Sequence, residues 1–237
     1  LLKLVNNSLH PSYHLHRTAT GRLSSSNPNL KNIPRDSSIR SLFVAPAGHT
    51  LLVADYDQIE LRDMCMFSKD KNMSKFFLEE QDIHAGAAAL VLNKPVADVT
   101  SEERQLGKGV NFLPAYGGGA QKLARTTGIT EKRAREVINN YYKQFSGISA
   151  WKNTEIVKAI QRGYVSTLSG RRRRLPELTS RDEGLRARAE RQAINAIVQG
   201  SAADICKIAM IDVHEALKPF NAKILVQVHD ELVVAVP

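Results

Sequence analysis

Two aspartates stand at the ends of apolar runs in this sequence. Asp55 directly follows the run Leu51–Ala54, and Asp230 lies between the apolar runs 223–228 and 232–236. An unpaired carboxylate beside a core is costly, and two neighbouring carboxylates repel each other unless a cation lies between them. Two Mg²⁺ ions would serve, because Mg²⁺ prefers oxygen ligands and keeps several waters. Such ions could activate a hydroxyl and hold polyphosphate oxygens.

The same two residues have a simpler interpretation. Asp55 could cap the end of a strand, and Asp230 could be an ordinary turn residue. Spacing along the chain does not show whether the two side chains meet, so both interpretations stay open at this level.

A row of side chains recurs at every fourth position of a predicted helix, 101–117, and contains Arg104, Lys108, Phe112 and Tyr116. Four residues advance about 40° beyond a full turn, so all four lie within a sector of about 120°. Two cations followed by two rings match a nucleoside triphosphate lying along the helix, with the cations on phosphate. The alternative is an amphipathic helix with aromatic rings in the core and solvated cations. Pro114 predicts a kink or an irregular helix after Phe112.

A second polar row lies on the predicted helix around 187–200 and consists of Arg191, Asn195 and Gln199. These side chains can donate hydrogen bonds to the minor-groove acceptors that every Watson–Crick pair presents. Such contacts would test the geometry of a base pair without reading its sequence. An ordinary exposed helix face is the alternative.

The composition is consistent with a nucleic-acid partner. The net charge is +9 and the isoelectric point is about 9.6, although a merely basic globular protein would show the same values. Cys65 and Cys206 fit no metal-binding or redox spacing, so we expect reduced thiols in the cytoplasm. Because no run reaches about 18 apolar residues, we expect no contact with a membrane.

The elements that must position these residues follow a strand–helices–strands order. After the strand that ends at Asp55 we predict helices, a short hairpin at 164–175, a long helix at 181–217 that Gly200 could interrupt, and a final strand pair. The remaining predicted helices are 72–80, 82–92, 101–117, 119–127, 130–144 (with Thr130 as N-cap) and 147–162. This order predicts an α+β fold.

Four segments resemble those of one family, the family A DNA polymerases, which include the bacterial DNA polymerase I type and phage and organelle members. Residues 20–34 resemble its primer–template segment, 55–62 (DYDQIELR) its motif A, and 226–232 (VQVHDEL) its motif C. Arg104, Lys108, Asn111, Phe112, Tyr116 and Gly117 together resemble its motif B. The resemblance covers nearly the whole chain, and four motifs in order are more specific than any one of them.

The resemblance implies a right-hand polymerase architecture. The palm, an antiparallel sheet, would comprise residues 1–70 and 181–237, and a mainly helical fingers insertion would comprise 71–180. The thumb is largely lacking, so we expect the chain to be a fragment of a longer polypeptide. Asp57 and Leu113–Pro114 depart from the motifs of the family.

The resemblance also implies roles for individual residues. Asp55 and Asp230 would bind two Mg²⁺ ions, or Mn²⁺ in their place, with the Tyr56 carbonyl and with Glu231 as an auxiliary acid. The residues expected around the nucleotide are Arg104 and Lys108 on the triphosphate (Lys108 also counted as catalytic), Phe112 against the sugar and base, Tyr116 beside the templating base, Glu60 as the gate against a 2′-hydroxyl, and Gln58 and His84. The residues expected to contact DNA are Arg22, Arg191, Asn195, Gln199 and His229.

The implied function is template-directed addition of deoxynucleotides to a primer 3′-hydroxyl, in replication or repair, with primer–template DNA as partner and the protein as a monomer. A single-subunit RNA polymerase is one alternative, which Glu60 disfavours. A two-metal nuclease is another, in which Arg104 and Lys108 would have no role. A non-catalytic DNA-binding fragment is the third.

Overall fold

The computed structural model describes Leu4, residues 8–34 and residues 36–237. The strands in this part of the chain are β1 Ser12–His14, β2 Ser24–Ser26, β3 Thr50–Asp55, β4 Tyr164–Ser166, β5 Arg172–Arg174, β6 Lys223–Val228 and β7 Glu231–Val236. The α-helices are α1 Ser37–Arg40, α2 Ile59–Ser68, α3 Lys71–Leu78, α4 Ile83–Leu92, α5 Ser101–Tyr116, α6 Ala120–Thr127, α7 Glu131–Gln144, α8 Ser146–Arg162 and α9 Glu183–Leu217. The α+β class is confirmed.

The chain divides into two compact units. The first comprises residues 1–59 and 200–237, and the second comprises residues 60–199. The divisions therefore fall inside α2 and α9, whereas the sequence-based divisions fall at residues 70 and 180.

An antiparallel three-stranded sheet in the order β3–β7–β6 forms the centre of the first unit. Its strands are rich in valine, isoleucine and leucine, which suit a pleated and partly buried surface. A two-residue turn, His229–Asp230, joins β6 to β7 because Val228 pairs with Glu231. His229 has φ 56°, the left-handed conformation that tight hairpin turns need. The hairpin thereby returns β7 between its two neighbours.

Helices pack around an apolar core in the second unit. Buried side chains on α2, α4, α5 and α7 meet there, among them Leu61, Ile83, Val110 and Tyr141. Helices α4 and α5 approach closely at Gly107, where an added Cβ would lie 2.0 Å from the His84 carbonyl oxygen. Any larger residue at this position would force the two helices apart.

Local signals predicted most element boundaries to within two residues. Thr130 is the N-cap of α7, with its hydroxyl accepting from the Arg133 N–H at 3.2 Å. Glu231 belongs to β7 rather than to the turn. The interruption expected near Gly200 is wrong.

Helix α9 continues through Gly200, which is buried, because packing around a helix outweighs the low helix propensity of one glycine. Helix α5 continues through the buried Pro114 to Tyr116. The Gly117 N–H donates to the Leu113 carbonyl at 2.8 Å and closes the last turn.

Helix α9 is long and apolar enough, by length and composition alone, to cross a membrane. The best 18-residue window has a mean hydropathy of 1.3, but 56% of that window is buried inside the protein. Such burial is typical of the core helix of a globular domain.

Candidate active site

The pairing of β3 with β7 brings the sequence-predicted acids of the first unit to one end of the sheet. Asp55 lies directly opposite Glu231 in the register, and the Tyr56 N–H donates to the Asp230 carbonyl at 3.2 Å. The structure therefore brings the backbones of Asp55, Asp230 and Glu231 side by side, which spacing along the chain could not show. Asp55 is exposed, and the other two side chains are partly exposed.

The donors at this end of the sheet suit a hard divalent cation. Asp55, Asp230 and Glu231 bring carboxylate oxygens to this end of the sheet, and the Tyr56 backbone brings a carbonyl oxygen. Over residues 8–34 and 36–237, no group of three or more His, Cys, Asp or Glu side chains is arranged to hold a metal ion by itself. Mg²⁺ in particular is often held by one or two carboxylates, with waters and substrate phosphates completing its shell. The donor set fits that mode of binding.

A buried lysine supports the turn that carries Asp230. Lys31 is only 6% exposed, and its ammonium group donates to the Gln227 side-chain oxygen and, at 3.4 Å, to the Gln227 carbonyl. The Gln227 side-chain N–H donates in turn to the His229 carbonyl. Burial, and secondarily the charge of Arg22, lowers the pKa of Lys31 to about 8. No pattern in the sequence distinguished Lys31 from a surface lysine.

The remaining candidates of the first unit lie near this turn or in the loop after β3. Arg22 and His229 line the same small crevice as Gln227. In the loop, Gln58 has φ 52° and its side chain donates to the Asp57 carboxylate at 3.1 Å. Asp57, which departs from the family motif, is exposed, and its carboxylate accepts this hydrogen bond from Gln58.

The four side chains that the sequence predicts to bind a triphosphate lie on α5 in the second unit. A capping box between Thr100 and Glu103 begins the helix. Along the face, Lys108 is exposed, and the Phe112 and Tyr116 rings meet edge to face with centroids 5.7 Å apart. The opposite side of the helix, including Leu106 and Val110, enters the core.

Asp82 links the start of α4 to this face. One carboxylate oxygen caps α4 by accepting from the backbone N–H groups of His84 and Ala85 at 2.9 and 3.0 Å. The other oxygen accepts from Arg104 Nε at 2.6 Å. Burial raises the pKa of Asp82, but these hydrogen bonds outweigh it, so the pKa lies below its usual value. Asp82 was not among the predicted site residues, and the signal that could have found it is an aspartate at the start of the predicted helix 82–92, where N-caps are common.

His84 is also held at this face. Its ring packs against Phe112 with centroids 5.9 Å apart, and its Nδ1 atom lies 3.2 Å from the Nδ2 atom of the buried Asn111. The sequence placed Asn111 within motif B and assigned it no role.

Two buried acids lie one turn apart on α2 in the second unit. Glu60 accepts a hydrogen bond from the Tyr116 hydroxyl. Asp63 is 5% exposed and its Oδ2 atom has no hydrogen-bond partner. Burial, and secondarily the charge of Glu60, raises the pKa of Asp63 to about 7. Sequence reasoning missed Asp63, because an acid in a helix is usually exposed.

The polar row on α9 is graded in exposure. Arg191 is exposed, Asn195 is half-buried and Gln199 is buried. Arg191 lies over Gly117, where an added Cβ would be 2.2 Å from the Arg191 Cδ atom. Arg191 and the loop Gly117–Gly119 line a cavity of about 910 Å³ together with Lys122 and Lys152.

Comparison with known proteins decides the family. The profile described as "DNA polymerase family A" matches residues 1–237. The chain belongs to DNA polymerase family A. The resemblance inferred from the four motifs is thereby confirmed.

Similar proteins in this family come from several bacteria. The chain is 46% identical to "DNA polymerase I, thermostable" of Thermus filiformis, over 97% of this chain and 28% of that protein. It is 44% identical to DNA polymerase I of Pseudomonas aeruginosa, over 96% of this chain and 26% of that protein. The chain thus spans about a quarter of the length of these family A relatives.

A solved family A structure has the same fold. It is the POL domain of Pol1 from M. smegmatis in complex with DNA primer-template and dNTP, which matches with a TM-score of 0.93 at 40% identity. The match covers 98% of this chain and 42% of that one.

Proposed function

We propose that this chain carries out template-directed DNA synthesis, adding deoxynucleotides to a primer 3′-hydroxyl with release of pyrophosphate. The observation that carries the proposal is the β3–β7 register, which brings Asp55 and Asp230 together at one end of the sheet of a family A polymerase. Phosphoryl transfer needs little covalent help from the protein, so positioning and charge neutralisation carry most of the catalysis.

In this proposal the residues of the first unit form the palm and hold two Mg²⁺ ions, or Mn²⁺ in their place. Asp55, Asp230 and the Tyr56 carbonyl would supply the ligands, and Glu231 would be an auxiliary acid beside them. When bound, the ions make a primer hydroxyl a better nucleophile and neutralise polyphosphate charge. The bonds from Lys31 to Gln227 and from Gln227 to the His229 carbonyl hold the turn on which Asp230 lies.

The second unit would form the fingers and bind the incoming deoxynucleoside triphosphate. Lys108 and Arg104 would hold the phosphates, since cations on one helix face suit a polyanion. Phe112 would pack against the sugar and base, and Tyr116 would lie beside the templating base. The residues proposed to complete the nucleotide pocket are Glu60, Gln58 and His84.

Primer–template DNA is the proposed partner. Arg191, Asn195 and Gln199 would contact the minor groove, and Arg22 and His229 would contact the primer end. The M. smegmatis domain was solved with a primer-template and dNTP, which supports both kinds of partner. We further propose that the protein acts as a monomer in the cytoplasm, in replication or repair, as the bacterial relatives suggest.

Primer extension tests the proposal. The purified chain is given a primed DNA template, Mg²⁺ and four deoxynucleotides, and Asp230→Ala is compared with Asp212→Ala, an exposed acid on α9. We expect Asp230→Ala to lower the extension rate by about a thousandfold or more, because charge neutralisation is lost. Asp212→Ala is expected to retain the rate. Binding of the primed DNA, measured by fluorescence anisotropy, should survive both changes.

Because the chain spans only part of its relatives, the same pair of variants is also made in a chimera. In it, this chain replaces the matching segment of the Thermus filiformis enzyme. Extension by the chimera that disappears in Asp230→Ala supports the proposal, and a folded chimera without extension would favour a non-catalytic DNA-binding role.

Glu60 separates DNA synthesis from RNA synthesis. Its buried carboxylate, held by the Tyr116 hydroxyl, would exclude a 2′-hydroxyl by occupying the space that this group needs. We expect Glu60→Ala to reduce the preference for deoxynucleotides over ribonucleotides by at least about tenfold, since the preference is a difference in transition-state binding. The measurement is kcat/KM for dATP and ATP on one template, and an unchanged ratio would remove Glu60 from the gate.

A further inference from the structure

Asp63 is a buried acid to which the proposed function gives no role. It lies on α2 and is 5% exposed, and its Oδ2 atom is buried without a hydrogen-bond partner. Ionising a carboxyl group that has such an oxygen is unfavourable inside a protein. The charge state of Asp63 therefore matters to the group that lies beside it.

Glu60 lies one turn before Asp63 on the same helix. Residues three apart on a helix are neighbours, with Cβ atoms about 5–6 Å from each other. Glu60 is also buried, at 6% exposure. In the part of the chain that the structure describes, Glu60 is the charged group that acts on Asp63. The adjacent guanidinium of Arg62 lies over the Phe77 ring instead, 4.6 Å from its centroid.

Burial strengthens the repulsion between these two acids. Two carboxylates on an exposed helix face are screened by water and salt, but a pair enclosed by protein is screened much less. Burial, and secondarily the charge of Glu60, raises the pKa of Asp63 from 3.8 to about 7. Asp63 is consequently protonated below about pH 7 and ionised above it, so the repulsion sets in within the neutral pH range.

The Glu60 carboxylate has a second neighbour, which attracts it. The Tyr116 hydroxyl at the end of α5 donates a hydrogen bond to Glu60 Oε2, and the Phe112 ring supports the Tyr116 ring edge to face. While Asp63 is protonated, this hydrogen bond acts on the carboxylate without opposition from Asp63. An ionised Asp63 adds repulsion to the same carboxylate, which favours positions farther from Asp63.

We propose that Asp63 is a positioning residue for the Glu60 carboxylate, so that deoxynucleotides are selected over ribonucleotides more strongly while Asp63 is protonated than while it is ionised. The inference rests on the proposed function, because it deepens the role given there to Glu60. Asp63 does not contact the nucleotide in this proposal and acts only through Glu60. A displaced Glu60 carboxylate leaves open part of the space that a 2′-hydroxyl needs.

The first test measures the ionisation of Asp63 and needs no activity. The chain is labelled with ¹³C in its aspartate carboxyl groups, and the NMR signal of Asp63 is the one missing from Asp63→Asn. We expect this signal to titrate with a midpoint near pH 7. A signal that is already that of an ionised carboxylate at pH 5 would overturn the proposal.

The second test, Glu60→Gln, shows whether the two groups act on each other. Glutamine keeps an oxygen that can accept from the Tyr116 hydroxyl and removes the negative charge. We expect the midpoint of Asp63 to move to lower pH, because the like charge beside it is gone. Glu177→Gln, which changes an exposed acid of the same unit, should leave the midpoint unchanged. An unchanged midpoint in Glu60→Gln would also overturn the proposal.

The third test measures selectivity in the chimera with the Thermus filiformis enzyme. The ratio of kcat/KM for dATP to kcat/KM for ATP is determined at pH 6 and pH 8 on one template, so that effects of pH common to both nucleotides cancel. We expect the ratio to be about fivefold higher at pH 6, which is part of the at least about tenfold effect expected for removal of the Glu60 carboxylate. In Asp63→Asn, which cannot ionise, the ratio should be the same at both pH values.

Asp98→Asn, which changes an exposed acid of the same unit, is the matched control and should keep the pH dependence of the unmodified chimera. The positioning role of Asp63 is rejected if the ratio does not change with pH in the unmodified chimera. It is equally rejected if the pH dependence survives in Asp63→Asn.

Failure of the proposed function gives a different result. A folded chimera without extension, or a Glu60→Ala chimera whose ratio at pH 6 is unchanged, would refute the synthesis or the gate, and the role of Asp63 in selectivity would fall with it. The carboxyl signals of the chain would still show whether Asp63 and Glu60 act on each other.

Discussion

The two compact units differ in the charge of the accessible side chains that are proposed to bind ligands. In the first unit the acids Asp55, Asp230 and Glu231 lie at the accessible end of the sheet, and Lys31 and Asp204 are among the buried ionisable groups. In the second unit Lys108 and Arg104 lie on an accessible helix face, and the buried ionisable groups on α2 are acids. The charge that each unit presents is opposite to that of the ligand proposed for it.

The buried groups show what this arrangement costs. Burial disfavours the charged form of any group, so the pKa of Lys31 falls to about 8 and the pKa of Asp63 rises to about 7. Both shifts move the group towards its neutral form. Lys31 and Asp63 each lower the stability of their unit while they are charged, whereas the charged groups proposed to bind ligands lie on accessible surfaces.

The largest effect that this comparison predicts is on nucleotide use. Lys108→Ala removes an exposed cation of the second unit, and we expect kcat/KM for deoxynucleotide to fall about a hundredfold, as when one preorganised charge partner is lost from a transition state. Lys132→Ala, an exposed cation on α7, is the control. Steady-state extension kinetics in the chimera measure both, and equal values would show that the α5 face does not bind phosphate.

A smaller effect concerns the stability of the second unit. Asp63→Asn should raise the free energy of unfolding by about 2 kcal/mol at pH 8, because a carboxyl whose folded pKa is raised costs stability when ionised. The folded pKa is about 7 and the ordinary value is 3.8. The cost is therefore complete above about pH 7 and disappears as the pH falls towards 4, where the group is protonated in both states.

Urea unfolding of the chain at pH 5 and pH 8 measures this difference. Asp98→Asn, which changes an exposed acid of the same unit, should shift neither value. A stabilisation by Asp63→Asn that is the same at both pH values would show that ionisation of Asp63 is not the cause.

The smallest effect is expected in the first unit. Lys31→Met should raise the free energy of unfolding by about 1 kcal/mol at pH 7, since a lysine with a lowered folded pKa is destabilising while it is charged. The gain should shrink as the pH rises from about 8 towards 10.5, because the folded protein then releases the proton before the unfolded chain does.

Lys223→Met, an exposed lysine on β6, is the control for thermal melts across this pH range. Destabilisation by Lys31→Met at pH 7 would contradict the prediction. It would mean that the bonds to Gln227, which hold the turn before Asp230, outweigh the cost of burying the ammonium group.

Much of the fold was predictable because its signals are local. The N-cap Thr130, the four-residue period of α5 and the alternation of apolar runs with a charged turn at 229–230 each involve residues within one or two turns of the chain. Because such signals do not depend on distant contacts, they are visible in the sequence, and the boundaries of most elements were predicted closely. The wrong expectation, a break at Gly200, came from a propensity that packing overrode.

The candidate site also has one part that local signals predicted and another part that they could not predict. The spacing of Arg104, Lys108, Phe112 and Tyr116 already placed them on one face, because a helix repeats regularly. The contacts of Lys31, Asp63 and Asn111 could not be predicted, since each depends on residues from other elements or on burial by them.

By itself, the sequence of this protein determined its helices, its hairpin turns, the polar rows on α5 and α9, and its membership of the polymerase family through ordered motifs. Only the tertiary structure decided that Asp55 meets Asp230 and Glu231, because that meeting depends on the register of strands about 175 residues apart in the chain. It also decided which ionisable groups are buried and how the amide of Asn111 faces His84. Burial and side-chain orientation depend on neighbours that the order of residues does not specify, and they emerge only when the elements pack.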